Sequence, residues 1–191
     1  MAIGLWSAPS FAATLDVDGS GQLRGAAGVN VGGTLYDVTF REGTCIALFD
    51  GCDEASDFTF TTRSDADAAS QALLDQVFVN VLGLGNFDTD PEFTFGIEST
   101  TQGFAYTPYC ANCFPVPGSY NAASHAYNEH ASADRIGFGV LLVLLTDTTQ
   151  EPTQVFADWT VAAVPIPAGG MLLLSALGGM AALRRRMKST V

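Results

Sequence analysis

Residues 168–183 contain no charged side chain, and four of the next five residues, Arg184, Arg185, Arg186 and Lys188, are basic. Together with the five residues before it, this run constrains the chain more than any other stretch. From Val164 to Leu183 a helix would be roughly 30 Å long, the hydrocarbon thickness of a bilayer. Pro165 and Pro167 cannot donate backbone hydrogen bonds, and each holds the residue before it extended. The expected transmembrane helix therefore covers residues 168–183. That is somewhat short, which favours local thinning of the bilayer over helix tilt. Gly169, Gly170, Gly178 and Gly179, with Ala176, Ala181 and Ala182, form small-residue faces against which another membrane helix packs closely. A soluble amphipathic helix fits less well, because Ser175 is the only polar residue of the run.

Lys and Arg beside a membrane helix are retained on the cytoplasmic side, so the bulk of the chain is expected outside. Val164, Pro165, Ile166, Pro167 and Ala168, the apolar run and the basic cluster stand in a fixed order. That order resembles the C-terminal sorting signal of PEP-CTERM proteins, in the VPLPA-CTERM variety, with Ile166 in place of Leu. The resemblance covers about 25 residues, 164–188. It implies an exported bacterial protein that is a substrate of an exosortase-type membrane protease in a Gram-negative cell making exopolysaccharide. The precursor would be held in the inner membrane facing the periplasm, and the product would reach the cell surface or the extracellular matrix. The resemblance implies no catalysis by the chain itself.

The charges divide accordingly. All 20 acidic residues lie between Asp16 and Asp158, against four basic ones in that span, a net −16, while the tail carries +4. An acidic body repels nucleic acid and anionic headgroups, which removes DNA and RNA from the expected partners. The stretch 1–13 reads as the end of a signal peptide for the Sec machinery. Ala2, Ile3, Leu5 and Trp6 are apolar, and Ser10-Phe11-Ala12 offers small residues for cleavage after Ala12 or Ala13. It has no basic n-region, which implies a start upstream. Residues 14–163, long enough for one core, form the extracytoplasmic domain.

Within that domain, Gly32-Gly33 between Val29-Asn30-Val31 and residues 34–40 is the best hairpin signal, since two glycines supply both positive-φ positions of a tight turn. Tyr36, Val38 and Phe40 fall on one face, and Asp37, Thr39 and Arg41 on the other. The run 31–40 also resembles the opening of many exported proteins with this tail, a group with no assigned activity. Residues 64–82 are the one clear helix: Ser64 caps, Asp65 and Asp67 suit the first turn, and Ala69, Leu73 and Val77 recur every four residues. Strands are expected at 58–62, 93–98, 103–109, 135–146 and 155–164. The run 140–145 reads as a central strand buried on both sides. The fold class is α+β, mainly antiparallel, either sandwich-like or a sheet with one packed helix, plus the C-terminal transmembrane helix.

Asp16-Val17-Asp18-Gly19-Ser20-Gly21 opens like a calcium loop but has Ala27 where the bidentate Glu belongs. A solvated turn is the simpler reading, for residues 88–92 as well. Cys45, Cys52, Cys110 and Cys113 are an even set in a chain with an export signal, which favours disulfides. The sequence-local pairs, Cys45 with Cys52 and Cys110 with Cys113, are preferred over crossed ones. Cys110 and Cys113 with His125 and His130 also approach a zinc-finger spacing. Against zinc stand the missing hydrophobic positions of a finger and the oxidising compartment. A thioredoxin-like pair would need a helix that Pro115 and Pro117 oppose. His125 and His130 do not share a helix face, because five residues turn about 140°.

No nucleophile elbow, phosphate loop or dinucleotide fingerprint is present. The expected function is therefore a noncatalytic envelope or matrix protein with no metal or cofactor. A calcium- or carbohydrate-binding module stands second, and a secreted hydrolase using surface carboxylates third.

Overall fold

A computed structural model describes residues 12–110, 121–142 and 147–163 of the chain. The expected transmembrane helix 168–183 lies outside these residues. Among those described, no helix is long and apolar enough to cross a membrane.

The core is one seven-stranded sheet. Its strands are β1 (Thr14–Val17), β2 (Leu23–Val31), β3 (Thr34–Arg41), β6 (Gln102–Tyr109), β7 (Asn121–Glu129), β8 (Arg135–Leu142) and β9 (Gln154–Val161), in the order β1-β2-β3-β9-β6-β7-β8. Every neighbouring pair is antiparallel except β6 with β9. A two-strand ladder, β4 (Asn80–Val81) with β5 (Gly85–Asn86), stands apart. The helix α2 (Arg63–Gln76) lies across one face of the large sheet, and the short α1 (Cys45–Leu48) belongs to a loop on the other. The expectation of an α+β sheet with one packed helix holds, and the sandwich alternative does not.

The hairpin forms where the glycines placed it. Val31 pairs with Thr34, and Gly32 and Gly33 have φ of +60° and +94°. β2 extends further back than residue 29 and bulges between Ala26 and Val29. The bulge frees the N–H of Gly28, which donates to Asp37 Oδ1 at 2.9 Å. Val38 and Phe40 are buried in the same core cluster as the apolar face of α2, and Tyr36 packs with Phe60 and Trp159.

The helix starts one residue before the expected Ser64, because Thr62, not Ser64, is the cap: its side chain accepts from Asp65 N. Ala69, Leu73 and Val77 are fully buried, as their spacing requires. The helix stops at Gln76 rather than Leu82. Val77 and Phe78 leave the helical path to fill the core, where Phe78 stacks on Phe40 with centroids 5.6 Å apart. Leu82 ends at the fully exposed tip of the β4–β5 hairpin.

Other strand expectations need correction. Residues 58–62 contribute one bridge, Phe60 to Tyr109, and 93–98 contribute one, Leu23 to Thr94, after a 3-10 turn at Pro91–Phe93. Proline at the start of that turn removes a ladder donor and presets helical φ. β7 had no expectation at all. Among the described residues β8 ends the sheet order and is not the central strand its composition suggested, and 143–146 lie outside the described residues. In β9, Val155, Ala157 and Trp159 face the helix side, while Val161 is 66% exposed.

Candidate functional site

The face of the sheet away from α2 carries the chemistry. Alternation along β6 and β7 sends Phe104, Tyr106, Ala123, His125 and Tyr127 to that face, and their neighbours Ala105, Ala122, Ala126 and Asn128 toward the helix side. The loop between β3 and β6 covers part of it: Cys45, Phe49, Cys52 and Phe58 close over Tyr106, Ala123 and Phe156. The Cys45–Cys52 disulfide forms as expected, with Cα atoms 5.7 Å apart, and both cysteines are fully buried. The turn that closes it is tight. Asp50 and Cys52 hold positive φ on either side of Gly51.

Beyond that cover lies an aromatic row around His125. The His125 ring is 4.4 Å from that of Tyr127 and 5.4 Å from that of Tyr106, and Phe104 meets Tyr127 edge-on at 4.5 Å. Gly137 of β8 pairs with His125, and a Cβ there would stand 1.9 Å from His125 Nε2, so glycine is what admits the ring. His125 is 2% exposed and its Nδ1 has no hydrogen-bond partner. Burial, with the nearby Arg135 charge second, pulls its pKa down to about 4, which keeps the ring neutral. Burial, then Tyr127 and Glu151, pushes Tyr106 up to about 12. At the solvent end the Arg135 guanidinium lies over the Tyr127 ring at 4.4 Å and pairs with Glu129 at 2.6 Å. The result is a partly covered aromatic surface rimmed by one fixed ion pair.

A cleft of about 150 Å³ opens nearby, lined by Glu42, Glu98 and Glu151 together with Thr148, Thr149 and Gln150. Its floor is pinned by Thr148, whose hydroxyl accepts from Gly43 N at 3.0 Å and donates to Gly43 O. Its rim is pinned by the Pro152 carbonyl, which accepts from the amides of Glu98 and Ser99. No group of three or more His, Cys, Asp or Glu side chains suited to a metal ion occurs among the described residues.

The other sequence-predicted residues separate. Cys110 is disulfide-bonded and Cys113 lies outside the described residues. His125 lies within β7 and His130 just past its end, five positions on, roughly 17 Å at the rise of an extended strand. The zinc set Cys110, Cys113, His125 and His130 is therefore not brought together. Instead His130 Nδ1 meets the Thr89 carbonyl, and Asn128 Nδ2 donates to the Phe87 carbonyl at 2.6 Å. Asp18 spends its carboxylate on its own turn. It accepts from Ser20 N, Ser20 Oγ and Gln22 N and pairs with Arg24 at 2.7 Å, contacts that hold its pKa far below the usual carboxylate range. The calcium-like loop is thus a hydrogen-bonded turn. Residues 88–92 serve as an anchor, with Asp88 N bound to Asn80 Oδ1.

The chain matches no known family model, no characterised protein and no solved structure. The sorting-motif residues Val164, Pro165, Ile166, Pro167 and Ala168 and the cluster Arg184, Arg185, Arg186 and Lys188 lie outside the described residues. β9, the last strand among the described residues, ends at Val161, three residues before that motif. The aromatic row was missed in the sequence because β7 reads Asn-Ala-Ala-Ser-His-Ala-Tyr-Asn-Glu, with small residues where strands usually carry branched ones. The alternation of His125, Tyr127 and Glu129 was the available signal.

Proposed function

We propose that the chain is the precursor of an exported, noncatalytic envelope or matrix protein. An exosortase-type membrane protease sorts it through residues 164–188, and it ends up associated with exopolysaccharide at the cell surface. The observation that carries the reading is the order of a proline-bearing motif, an uncharged membrane-length run and a basic cluster at the C-terminal end. Two features of the body agree with an extracytoplasmic destination. A fully buried disulfide sits between Cys45 and Cys52, a bond that persists in oxidising compartments. The body's net charge of −16 suits solubility outside the cell and opposes nucleic acid as a partner. The test is the mass and location of the mature protein in its native cell. A product starting near Thr14 and ending near Ala168, recovered from the surface or medium, is expected. A mature chain that retains residues 169–191 in the inner membrane would remove the sorting assignment and leave a permanent anchor.

A second reading, a carbohydrate-binding module, is favoured by one observation, the partly exposed Phe104 and Tyr127 beside the Arg135–Glu129 pair. Aromatic faces pack against the C–H face of a sugar ring while the charged rim bonds its hydroxyls. Retention of the protein on the cell's own exopolysaccharide, lost in Tyr127→Ala with the fold intact, would support it. Equal retention of both proteins would remove it.

A further inference from the structure

β8 has the composition of an interior strand and the position of an edge strand. From Ile136 to Thr146 the sequence has eleven residues with neither charge nor proline. Such runs belong to strands flanked on both sides. Yet the sheet order ends at β8, whose outer row of N–H and C=O groups meets no other strand among the described residues. The opposite edge is defended in the usual ways: β1 is four residues long, is bulged between Asp16 and Val17, and carries Asp16. β8 has one bulge, at Gly139, which lies between Phe138 and Val140 and has no partner in β7. It breaks the edge at a single point and leaves a stretch for pairing on each side.

We propose that β8 pairs antiparallel with β8 of a second copy of this chain across a two-fold axis, joining the two sheets into one. A strand from within the chain is the poorer occupant. Residues 1–11 lead into β1 at the far edge, six strand spacings or roughly 29 Å away. Segment 111–120 contains Pro115 and Pro117, and 164–170 contains Pro165 and Pro167 followed by two glycines. Each proline deletes a ladder donor. A second β8 is free of proline, and its charge pattern fits. Arg135 stands at one end of β8 and uncharged Leu142 at the other. Antiparallel self-pairing sets each Arg135 opposite the uncharged end of its twin, whereas parallel pairing would set the two arginines side by side. The closed, self-complementary contact stops at two copies.

The test uses the full chain in a mild detergent, with the protein mass measured by light scattering and backbone amide exchange followed over a wide dilution series. The expected result is twice the 20.0 kDa of one chain, with β8 amides that lose protection on dilution. Gly139→Pro removes an N–H that has no β7 partner in register, and Leu142→Lys places a charge at the end of the edge. Both variants are expected to halve the mass while near-ultraviolet circular dichroism of buried Trp159 stays unchanged. If Gly139→Pro fails to fold, Leu142→Lys and the wild-type exchange profile decide the matter. A wild-type chain of single mass at every dilution overturns the proposal. So does a dimer that persists in the folded variants, since that contact would lie elsewhere, as on the small-residue faces of residues 168–183. A dimer lost in the variants stands whether or not the tail is cleaved.

Discussion

His125 is the residue whose surroundings do most to set its behaviour. Its ring is enclosed by Phe104, Tyr106 and Tyr127 and rests against the bare backbone of Gly137. Its folded pKa of about 4 lies below the usual 6.5, so between those values the unfolded chain binds a proton that the folded chain refuses. Stability therefore falls as pH drops from about 6.5 toward 4, and this group takes nothing further from it below that. The loss approaches about 3 kcal/mol at the acid end, since each tenfold change in proton affinity is worth about 1.4 kcal/mol. Denaturant unfolding of the wild type and of His125→Leu across this range checks it, because the difference between the two isolates His125 from the carboxylates. Relative to the variant, the wild type should lose stability on acidification, and a difference that stays constant with pH would show that the imidazole is not buried neutral. Gly137→Ala tests the same packing from the other strand. With a Cβ 1.9 Å from His125 Nε2 and 2.2 Å from the Tyr127 ring, something must move, and a cost of about 2 kcal/mol is expected. A melting point unchanged by the substitution would mean that the two rings sit elsewhere.

Among the elements, those specified by local chemistry were the ones legible in the sequence. Gly32-Gly33 forced one turn, and the four-residue recurrence of Ala69, Leu73 and Val77 forced one helix. The short Cys45–Cys52 interval closed where turn-forming residues made it easy. What failed was set by partners distant in sequence. Phe78 leaves the helix because Phe40 offers a stacking surface, and periodicity alone could not show that surface. β7 forms because β6 and β8 flank it, despite its alanines and asparagines. The aromatic row on the second face depends on that register and was illegible for the same reason. Hairpin residues 80–90 are likewise held from outside, by Asn128 on the Phe87 carbonyl and His130 on the Thr89 carbonyl. Asn128 is fully buried, so Asn128→Ala strands that carbonyl and should cost about 2 kcal/mol. Amide exchange at 80–90 should quicken more than exchange in the β2–β3 hairpin. An even increase across the sheet would mean that Asn128 supports the whole core and not the hairpin. Replacing both Cys45 and Cys52 by Ala frees a loop of seven-residue separation, with an expected loss of about 2 kcal/mol. Denaturant midpoints read this directly, and the cost should be matched in the wild type by a reductant. A midpoint that does not move would place the stability of the 45–52 loop in Phe49 and Phe58 alone.

At the scale of the whole molecule, an acidic β-rich body and a tail of opposite character share one chain, and the boundary between them falls just past β9. Two prolines at that boundary bear on the proposed sorting. In that proposal a proline restricts the residue before it to extended conformations, the form a protease cleft generally accepts, while the apolar run would set depth and the basic cluster direction. Pro165→Ala with Pro167→Ala would let the expected helix extend into the motif without changing the apolar run or the arginines. Membrane insertion should persist, and maturation should stop. Changing Arg184, Arg185 and Arg186 to Glu should act on a different step, disturbing orientation or retention before the motif ever meets a protease. Pulse labelling in the native cell, with fractionation of membrane and surface, separates the two defects. The proline variant should accumulate as a full-length inner-membrane form, and the arginine variant should be mislocalised. Normal processing of the proline variant would mean that an extended 164–168 segment is not what the protease reads.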